Sequence, residues 1–322
     1  MKPPLSIVVP VFNEAPSLRQ LHAEIAEVLS QHDYAAEIIF VDDGSRDESW
    51  DVIRELAAED RRVRAVRFRR NFGKAAALSA GFSLAKNPRV LTMDADLQDD
   101  PREIPNFLAK VEEGFDVVSG WKRIRHDPWH KVLPSRVFNR MVSGVTGVRL
   151  HDHNCGMKCY RREVLEEVVL YGELHRFVPV LAAARGFSVG ELVIRHRPRQ
   201  FGKSKYGFSR FVKGFLDLLT VRFLTGFGQR PQHVLGTIGL VSFGLGAVIL
   251  TYLAALWTCS RTLPGWDPVT LHDRPLVVYA TGLLLLGGQL MSMGFLAELF
   301  LAYHVRPERT YSVAERIDAS PP

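Results

Sequence analysis

The fold is decided by residues 90–98, Val90-Leu91-Thr92-Met93-Asp94-Ala95-Asp96-Leu97-Gln98. The first four residues predict a buried strand, so the polar residues after them are expected where this strand leaves its sheet. Carboxylates at positions i and i+2 of an extended chain point to the same side. Together with the amide oxygen of Gln98 they form a set of hard oxygen ligands that suits Mg²⁺ or Mn²⁺. For an isolated Asp-x-Asp an acidic turn in solvent is the better explanation, so the rest of the chain decides.

Strands and helices alternate along the amino-terminal part of the chain. The pattern predicts strands at residues 6–11, 37–41 and 63–68 and helices at about 16–30, up to about 59, and at 74–84. Asp47 or Ser45 is expected to cap the second helix. This order predicts an α/β fold with a doubly wound sheet. Ligands of such sheets bind at the carboxyl ends of the strands, which is where Asn13-Glu14, Asp42-Asp43 and the 94–98 segment fall.

The bulk composition limits the possible partners. The 322 residues have a formal net charge of +6, which favours anionic partners. The arginines of residues 61–74 alternate along a predicted strand, so nucleic acid is not expected. The chain lacks both the G-x-G-x-x-G fingerprint after its first strand and the P-loop motif, which argues against dinucleotide and P-loop enzymes. Its three cysteines, with Cys155 and Cys159 in a C-x-x-x-C spacing, indicate a reducing compartment and not a zinc site.

Two long apolar segments lie near the carboxyl terminus. Residues 233–257 contain no Asp, Glu, Lys or Arg, and residues 276–303 contain only Glu298. Both exceed the roughly 20 residues that cross a bilayer core, so they predict two transmembrane helices. Six glycines in them would allow close helix packing, and packing between subunits is one option: Gly236, Gly239, Gly244, Gly246, Gly287 and Gly288.

The charges that flank these segments predict the orientation of the chain. Basic residues precede the first segment, at Arg210, Lys213, Arg222 and Arg230, and follow the second, at Arg306, Arg309 and Arg316. The stretch between the segments is balanced in charge, with Arg261 and Arg274 against Asp267 and Asp273. The positive-inside rule then places both ends in the cytoplasm. No secretory signal peptide is visible at the amino terminus. A multi-pass protein of the cytoplasmic (inner) membrane is expected.

Residues 206–227 predict an amphipathic helix next to the first apolar segment. Apolar residues recur at steps of three and four with basic residues between them: Phe208, Phe211, Phe215, Leu219 and Phe223. A basic helix of this kind beside a membrane is expected to lie in the interface. Packing against a protein core is the alternative.

Several segments of the chain match segments of a known family, and they occur in the same order. They are Val9-Pro10-Val11-Phe12-Asn13-Glu14, Val41-Asp42-Asp43-Gly44-Ser45, Asn71-Phe72-Gly73-Lys74 and Asp94-Ala95-Asp96-Leu97-Gln98-Asp99, followed by His151-Asp152-His153-Asn154-Cys155-Gly156, Gly172-Glu173-Leu174-His175-Arg176-Phe177 and Arg199-Gln200-Phe201-Gly202-Lys203-Ser204-Lys205. Through them the chain resembles the inverting GT-A glycosyltransferases of family 2. Within that family it is similar to the polyprenyl-phosphate glycosyltransferases, the group of dolichyl-phosphate mannose synthase and bactoprenol glucosyltransferase. The resemblance covers residues 5 to about 230 and extends to the two apolar segments.

The resemblance implies a GT-A catalytic domain at 1–205, with a doubly wound mixed sheet. Interfacial amphipathic helices at 206–230, two transmembrane helices within 231–305 and a cytoplasmic tail at 306–322 would follow. The implied reaction is inverting transfer of a sugar from a nucleotide sugar donor to a polyprenyl phosphate acceptor at the membrane. UDP-glucose is the favoured donor, GDP-mannose the second and UDP-4-amino-4-deoxy-4-formamido-arabinose the third. A homo-oligomer is possible by the same resemblance.

The resemblance also assigns roles to individual residues. Donor binding would use Pro10, Phe12, Glu14, Val41, Asp42, Asp43, Lys74, Ala95, Arg199 and Lys205, the last two as a basic pair on the diphosphate. The divalent cation would be held by Asp94, Asp96 and Gln98, with Asp94 and Asp96 counted as catalytic and Asp152 as a further catalytic carboxylate. The acceptor is a phosphate with a second pKa near 6, so cations that orient it matter more than a strong base. Candidates are Lys122, Arg123 and Arg136, supported by Ser135 and Asn139.

Two other functions stay open at this point. A processive polysaccharide synthase typically carries Q-x-x-R-W near the membrane, and Gln229-Arg230-Pro231 lacks this pattern. A membrane scaffold with a degenerate transferase domain is the non-catalytic alternative. The presence of Asp94, Asp96 and Gln98 argues against degeneracy.

Overall fold

The computed structural model describes residues 3–124, 129–168, 174–198, 209–226, 231–272 and 274–304. The chain separates into two compact units, residues 1–225 and residues 226–322.

Within the described part of the first unit, seven strands form one mixed sheet. They are β1 (Leu5–Val11), β2 (Ala36–Asp42), β3 (Val63–Arg67), β4 (Arg89–Thr92), β5 (Val117–Trp121), β6 (Lys158–Arg161) and β7 (Val189–Val193). Their order is β3-β2-β1-β4-β6-β5-β7. β6 runs antiparallel to β4 and β5, whereas the other neighbours are parallel. The carboxyl ends of β1, β2 and β4 therefore lie side by side.

Helices cover both faces of this sheet. They are α1 (Ala15–Gln31), α2 (Ser49–Glu59), α3 (Lys74–Leu84), α4 (Ile104–Glu112), α5 (Trp129–Thr146), α6 (Arg162–Glu167), α7 (Val178–Ala184) and α8 (Ser209–Gly226). Successive side chains of a strand point to opposite faces. Accordingly Ile7 and Val9 of β1 share a core with Leu18 of α1, whereas Val8 packs with Ala77 of α3. The predicted doubly wound α/β fold is confirmed.

The starts of α1 and α2 are fixed by short polar contacts. Pro16 lies in the first turn of α1, where a missing N–H costs no intrahelical hydrogen bond. Of the two residues predicted to cap α2, Asp47 binds the helix, since its Oδ1 accepts the N–H of Ser49 at 3.1 Å. Ser45 has another role, because its Oγ accepts the N–H of Asn13 at 2.9 Å.

α8 has one buried and one exposed face in the range that predicted an amphipathic helix. Leu218 and Val221 pack in a cluster with Phe138 and Phe177 of the first unit. Of the predicted apolar stripe, Phe215 and Leu219 are exposed, whereas the side chains at 208, 211 and 223 lie outside the described residues. The two faces differ in role: one joins the core and the other presents apolar side chains at the surface.

The second unit contains two long helices, α9 (Pro231–Thr262) and α10 (Pro275–His304). By length and composition Pro231–Thr262 and Pro275–Phe300 are candidate membrane spans, at the positions predicted from the sequence. A Cβ on Gly287 would lie 2.6 Å from the carbonyl oxygen of Gly239, and one on Gly246 would lie 2.7 Å from that of Ala280. These glycines therefore let the two helices of one chain approach closely. A Cβ added on Gly244 or Gly288 would have no neighbour within 4 Å.

Candidate active site

The carboxylates of the 94–98 segment lie on a turn and not on a strand. β4 ends at Thr92, two residues before Asp94, and residues 95 and 96 are in a turn, so the expectation that Asp94 and Asp96 lie on an extended chain is wrong. Leu97 is fully buried and has a φ of +61°, in the left-handed region that leucine rarely adopts. Such an outlier is a sign of a functional site when the surroundings enforce it. The chain therefore bends at Leu97, between Asp96 and Gln98.

Asp94 is surrounded by basic groups. Its Oδ1 forms an ion pair with Nζ of Lys74, the first residue of α3. Although burial opposes ionisation, the charges of Lys74 and Lys122 hold the pKa of Asp94 below its ordinary value. Gly156 lies directly against this carboxylate, because a Cβ there would be 2.6 Å from Cγ of Asp94. Asp94 is therefore an anion held between α3 and the turn at 151–156.

Asp96 and Gln98 lie next to each other on the same turn. Asp96 is buried, and its Oδ1 accepts the N–H of Gln98 at 3.2 Å. Within the described ranges no group of three or more His, Cys, Asp or Glu residues is placed to hold a metal ion. The donor set predicted from the sequence, Asp94, Asp96 and Gln98, would supply two carboxylates and one amide. Such a set fits a hard divalent cation that takes its remaining oxygens from a phosphate and water.

Asp42 and Asp43 organise the loops around the ends of β1 and β2. Oδ1 of Asp42 accepts the N–H of Ser45 at 3.0 Å, and its Oδ2 lies 3.2 Å from Nε of Arg67. The carboxylate of Asp43 accepts the N–H groups of Phe72 at 2.6 Å and Gly73 at 3.0 Å. Burial raises the pKa of Asp43, while these two amides act in the opposite direction. Both acids hold the segments that enclose the predicted donor site.

A cleft of about 830 Å³ opens beside these loops. Among the described residues that line it, Phe12 is the one that was predicted to bind the donor. Four further predicted donor residues lie at or beyond the carboxyl ends of β1, β2 and β4: Pro10 in β1, Val41 in β2, Glu14 directly before α1 and Ala95 in the carboxylate turn. Arginines complete the cleft, and sequence reasoning missed them as site residues: Arg46, Arg67, Arg69 and Arg70. The alternation of arginines along β3 is the sequence signal for Arg67, but by itself it indicates a polar strand face and not a ligand site.

The predicted acceptor-binding cations have different environments. The side chain of Lys122 is largely buried, and its Nζ lies 2.7 Å from Oδ1 of Asp99. Burial opposes its charge, yet Asp99 and its neighbours raise the pKa of Lys122. Arg123 is exposed, with its guanidinium 6.0 Å from the ring centroid of Trp121. The structure places Lys122 as an internal ion-pair partner, whereas Arg123 faces solvent.

α5 contributes the remaining acceptor candidates. Arg136 is exposed and Ser135 is half-buried. Asn139 is buried, and its Nδ2 donates to the carbonyl oxygen of His151 at 2.9 Å. α5 is thus attached to the 151–156 turn, and Arg136 lies one helical turn before the attachment point.

Asp152 lies on the 151–156 turn and is almost fully buried. Its Oδ1 accepts the N–H of Asn154 at 3.1 Å. The next residue, His153, is fully buried, with its Nε2 3.1 Å from Oγ of Ser143. Burial and the charge of Lys158 lower the pKa of His153 to about 4, so its ring is neutral at pH 7. This turn meets the 94–98 turn through the contact between Gly156 and Asp94.

Arg197 connects the end of the β7 segment to the same region. Its N–H donates to the carbonyl oxygen of Gln98 at 2.9 Å. Its guanidinium pairs with Glu24 and with Asp100, each at 2.6 Å. Arg199 and Lys205, the predicted basic pair, lie outside the described residues. Arg197 is therefore the last described residue that ties this segment to the carboxylate turn.

Comparisons with known proteins place this geometry in a family. Residues 6–169 match the family model described as glycosyl transferase family 2. The chain is 37% identical over 326 residues to a dodecaprenyl-phosphate galacturonate synthase from Rhizobium johnstonii, with 98% of this chain and 90% of the relative covered. It is 35% identical to an undecaprenyl-phosphate 4-deoxy-4-formamido-L-arabinose transferase from Proteus mirabilis, with 91% and 87% covered.

Solved structures share the fold. A glucosyl-3-phosphoglycerate synthase from Mycobacterium tuberculosis, crystallised with Mn²⁺, UDP and phosphoglyceric acid, superposes with a TM-score of 0.55 at 16% identity, covering 69% of this chain and 78% of that one. A mannosyl-3-phosphoglycerate synthase from Rubrobacter xylanophilus gives 0.56 at 17% identity, covering 69% and 74%. The mixed sheet is thus the GT-A fold. The chain belongs to glycosyl transferase family 2 and is a glycosyltransferase with two candidate membrane spans.

Proposed function

We propose that this protein transfers a sugar from a nucleoside diphosphate sugar to a polyprenyl phosphate, with inversion at the anomeric carbon. The observation that carries the proposal is the contact between two acidic turns, 94–98 and 151–156, in a chain that also has two apolar helices. Relatives named for galacturonate and 4-deoxy-4-formamido-L-arabinose transfer to polyprenyl phosphates support it, because they match over nearly the whole chain.

The donor is proposed to bind across the ends of β1, β2 and β4. Phe12 and the arginines of the 830 Å³ cleft would contact the nucleoside end. Asp94, Asp96 and Gln98 would hold a divalent cation, Mg²⁺ or Mn²⁺, on the diphosphate. When bound, this cation supplies Lewis-acid stabilisation of the charge on the departing nucleoside diphosphate. Lys74 and the basic pair Arg199 and Lys205 would add positive charge on the same group.

The acceptor needs orientation more than deprotonation. A phosphate monoester is mostly a dianion at neutral pH, so its oxygen is already nucleophilic. Arg123 and Arg136 are exposed and are proposed to bind it. Lys122, which is paired with Asp99, would act on the site through its charge near Asp94. Asp152 is proposed to orient the acceptor or a neighbouring basic group.

UDP-glucose is the donor expected from the sequence, and none of the relatives described above is named for glucose transfer to a lipid. UDP-galacturonate therefore enters the donor panel beside UDP-glucose, UDP-4-deoxy-4-formamido-L-arabinose and GDP-mannose. The test uses purified protein in detergent, Mg²⁺ or Mn²⁺, a short polyprenyl phosphate and each radiolabelled donor. Transfer of one label into the lipid phase, abolished by EDTA, is the expected result.

Asp96→Ala tests whether the carboxylate turn carries the reaction. Loss of an oxygen ligand at the diphosphate is expected to reduce transfer on the order of 100-fold or more, because charge stabilisation is the main catalytic effect at such sites. Asp51→Ala, an exposed acid on α2, is the matched control and should transfer at the parental rate. Parental transfer by a folded, membrane-inserted Asp96→Ala variant would show that the carboxylate turn does not carry the reaction.

A further inference from the structure

Glu191 is an acidic residue of β7 that the predicted site does not include. Its side chain is largely buried. Oε1 accepts two consecutive backbone N–H groups, from His151 at 2.8 Å and from Asp152 at 3.0 Å. Oε2 lies 2.7 Å from Nδ1 of His151. A carboxylate oxygen accepts hydrogen bonds, so this contact is a hydrogen bond in the tautomer of His151 that has its hydrogen on Nδ1.

The neighbouring strand reaches the same turn. Ser119 of β5 is the register partner of Glu191, and its Oγ lies 3.4 Å from the carbonyl oxygen of Asp152. The ring of His151 stacks on Trp121 at the end of β5, with ring centroids 3.9 Å apart and an interplanar angle of 12°. Two strands therefore hold the backbone of Asp152 from both its N–H and its C=O.

We propose that Glu191 is a positioning residue for Asp152: it fixes the backbone of the 151–156 turn without contacting substrate. The inference rests on the proposed role of Asp152 in transfer. Removing the carboxylate leaves the partly buried N–H of Asp152 and the exposed N–H of His151 without their acceptor, and the loss at Asp152 favours a shifted turn. A displacement of about 1 Å at a reacting group can reduce turnover about 100-fold.

Three variants separate this role from a general loss of stability. Glu191→Ala removes both acceptors, and its kcat is expected to fall about 10- to 100-fold while the KM for the donor stays within about twofold. Glu191→Gln keeps one amide oxygen for the two N–H groups and is expected to recover most of the lost kcat. His151→Ala keeps the backbone donors but removes the ring, so a smaller loss than in Glu191→Ala is expected. Glu166→Ala removes an exposed acid from α6 and is the matched control.

Hydrogen–deuterium exchange of the peptide that covers residues 150–157 provides a readout independent of activity. Faster exchange in Glu191→Ala, restored in Glu191→Gln and unchanged in Glu166→Ala, is the expected result. A parental kcat in Glu191→Ala, or a raised donor KM without a change in kcat, would overturn the proposal. So would a loss in His151→Ala as large as that in Glu191→Ala, because the ring would then be what Glu191 positions.

The two proposals fail in distinguishable ways. If the parental protein transfers no label from any donor, the proposed function is wrong, and the exchange measurement alone then decides whether Glu191 fixes the turn. If the parental protein transfers label but Asp152→Asn does so at the same rate, the role of Asp152 is wrong. A drop in transfer by Asp152→Asn together with parental behaviour of Glu191→Ala overturns only the positioning role.

Discussion

At the scale of single residues, the missing side chain of Gly156 brings the two acidic turns together. A Cβ at this position would lie 2.6 Å from Cγ of Asp94, well inside contact distance. Asp94 has a short side chain and is also held by Lys74, so a new methyl group has to displace the carboxylate.

Gly156→Ala is therefore expected to reduce transfer at least about 10-fold, because Asp94 moves away from its place in the proposed cation site. Initial rates over a Mg²⁺ titration check this, with a higher metal requirement as the specific sign of a displaced ligand. Gly144→Ala in α5 is the control, since a Cβ there has no neighbour within 4 Å. Equal rates in both variants would show that the Asp94 carboxylate does not need its observed position.

His153 predicts a pH dependence of stability. Its pKa falls from an ordinary 6.5 to about 4 on folding, because of burial and the charge of Lys158. As the pH falls, His153 therefore binds a proton in the unfolded chain before it does so in the folded protein. Its contribution to the free energy of unfolding, which is fully present above pH 6.5, is lost between pH 6.5 and about 4. The loss amounts to at most about 3 kcal/mol. Thermal melting in detergent should show a Tm that falls over this range, less steeply in His153→Gln.

The site residues differ in how far the sequence could predict them. Asp94, Asp96 and Gln98 directly follow an apolar run, so their position after the end of β4 could be predicted. The turn that these residues form could not be predicted. Leucine gives no local signal for a positive φ, so the bend at Leu97 could not be predicted. Glu191 is one acid in an edge strand, and its role arises only from pairing across the sheet.

At the scale of elements, local patterns located α3 and the parallel strands β1, β2 and β4 to within two residues. The antiparallel strand β6 was not predicted, because its four residues have no distinctive pattern and pair only with distant segments. α8 shows the same limit. Its period predicted an amphipathic helix, but which residues join the core depends on Phe138 and Phe177, which are distant in sequence.

The hairpin of α9 and α10 depends on glycines at its contact face. Gly287→Leu is expected to separate the helices, because a side chain there meets the backbone of Gly239. The expected outcome is a lower Tm in detergent and less protein inserted in membranes. Gly288→Leu is the matched control, since a Cβ at this neighbouring position has nothing within 4 Å. If both variants insert and melt alike, the close contact does not stabilise the hairpin.

At the scale of the whole molecule, the two candidate membrane spans and their flanking charges predict on which side of the membrane the amino-terminal unit works. Two spans would return the chain to the side from which it started. Basic residues flank the pair on the outer sides, four before α9 and three after α10, whereas Arg261 in the last turn of α9 and Arg274 in the connecting loop are balanced by Asp267 and Asp273. On the positive-inside rule we propose that the amino-terminal unit and the tail lie in the cytoplasm, where nucleotide sugars and a lipid phosphate can meet.

This orientation is tested by reporter fusions in a bacterial host. Green fluorescent protein fused after Pro322 should fluoresce, and alkaline phosphatase at the same position should be inactive, because one reporter works in the cytoplasm and the other outside it. Alkaline phosphatase inserted in the loop at residues 263–272 should be active. Replacing Arg306, Arg309 and Arg316 by Asn serves as the charge control and should lower the fraction of correctly oriented chains. An active phosphatase at Pro322 in the parental chain would place the tail outside the cytoplasm and contradict the proposed access to nucleotide sugars.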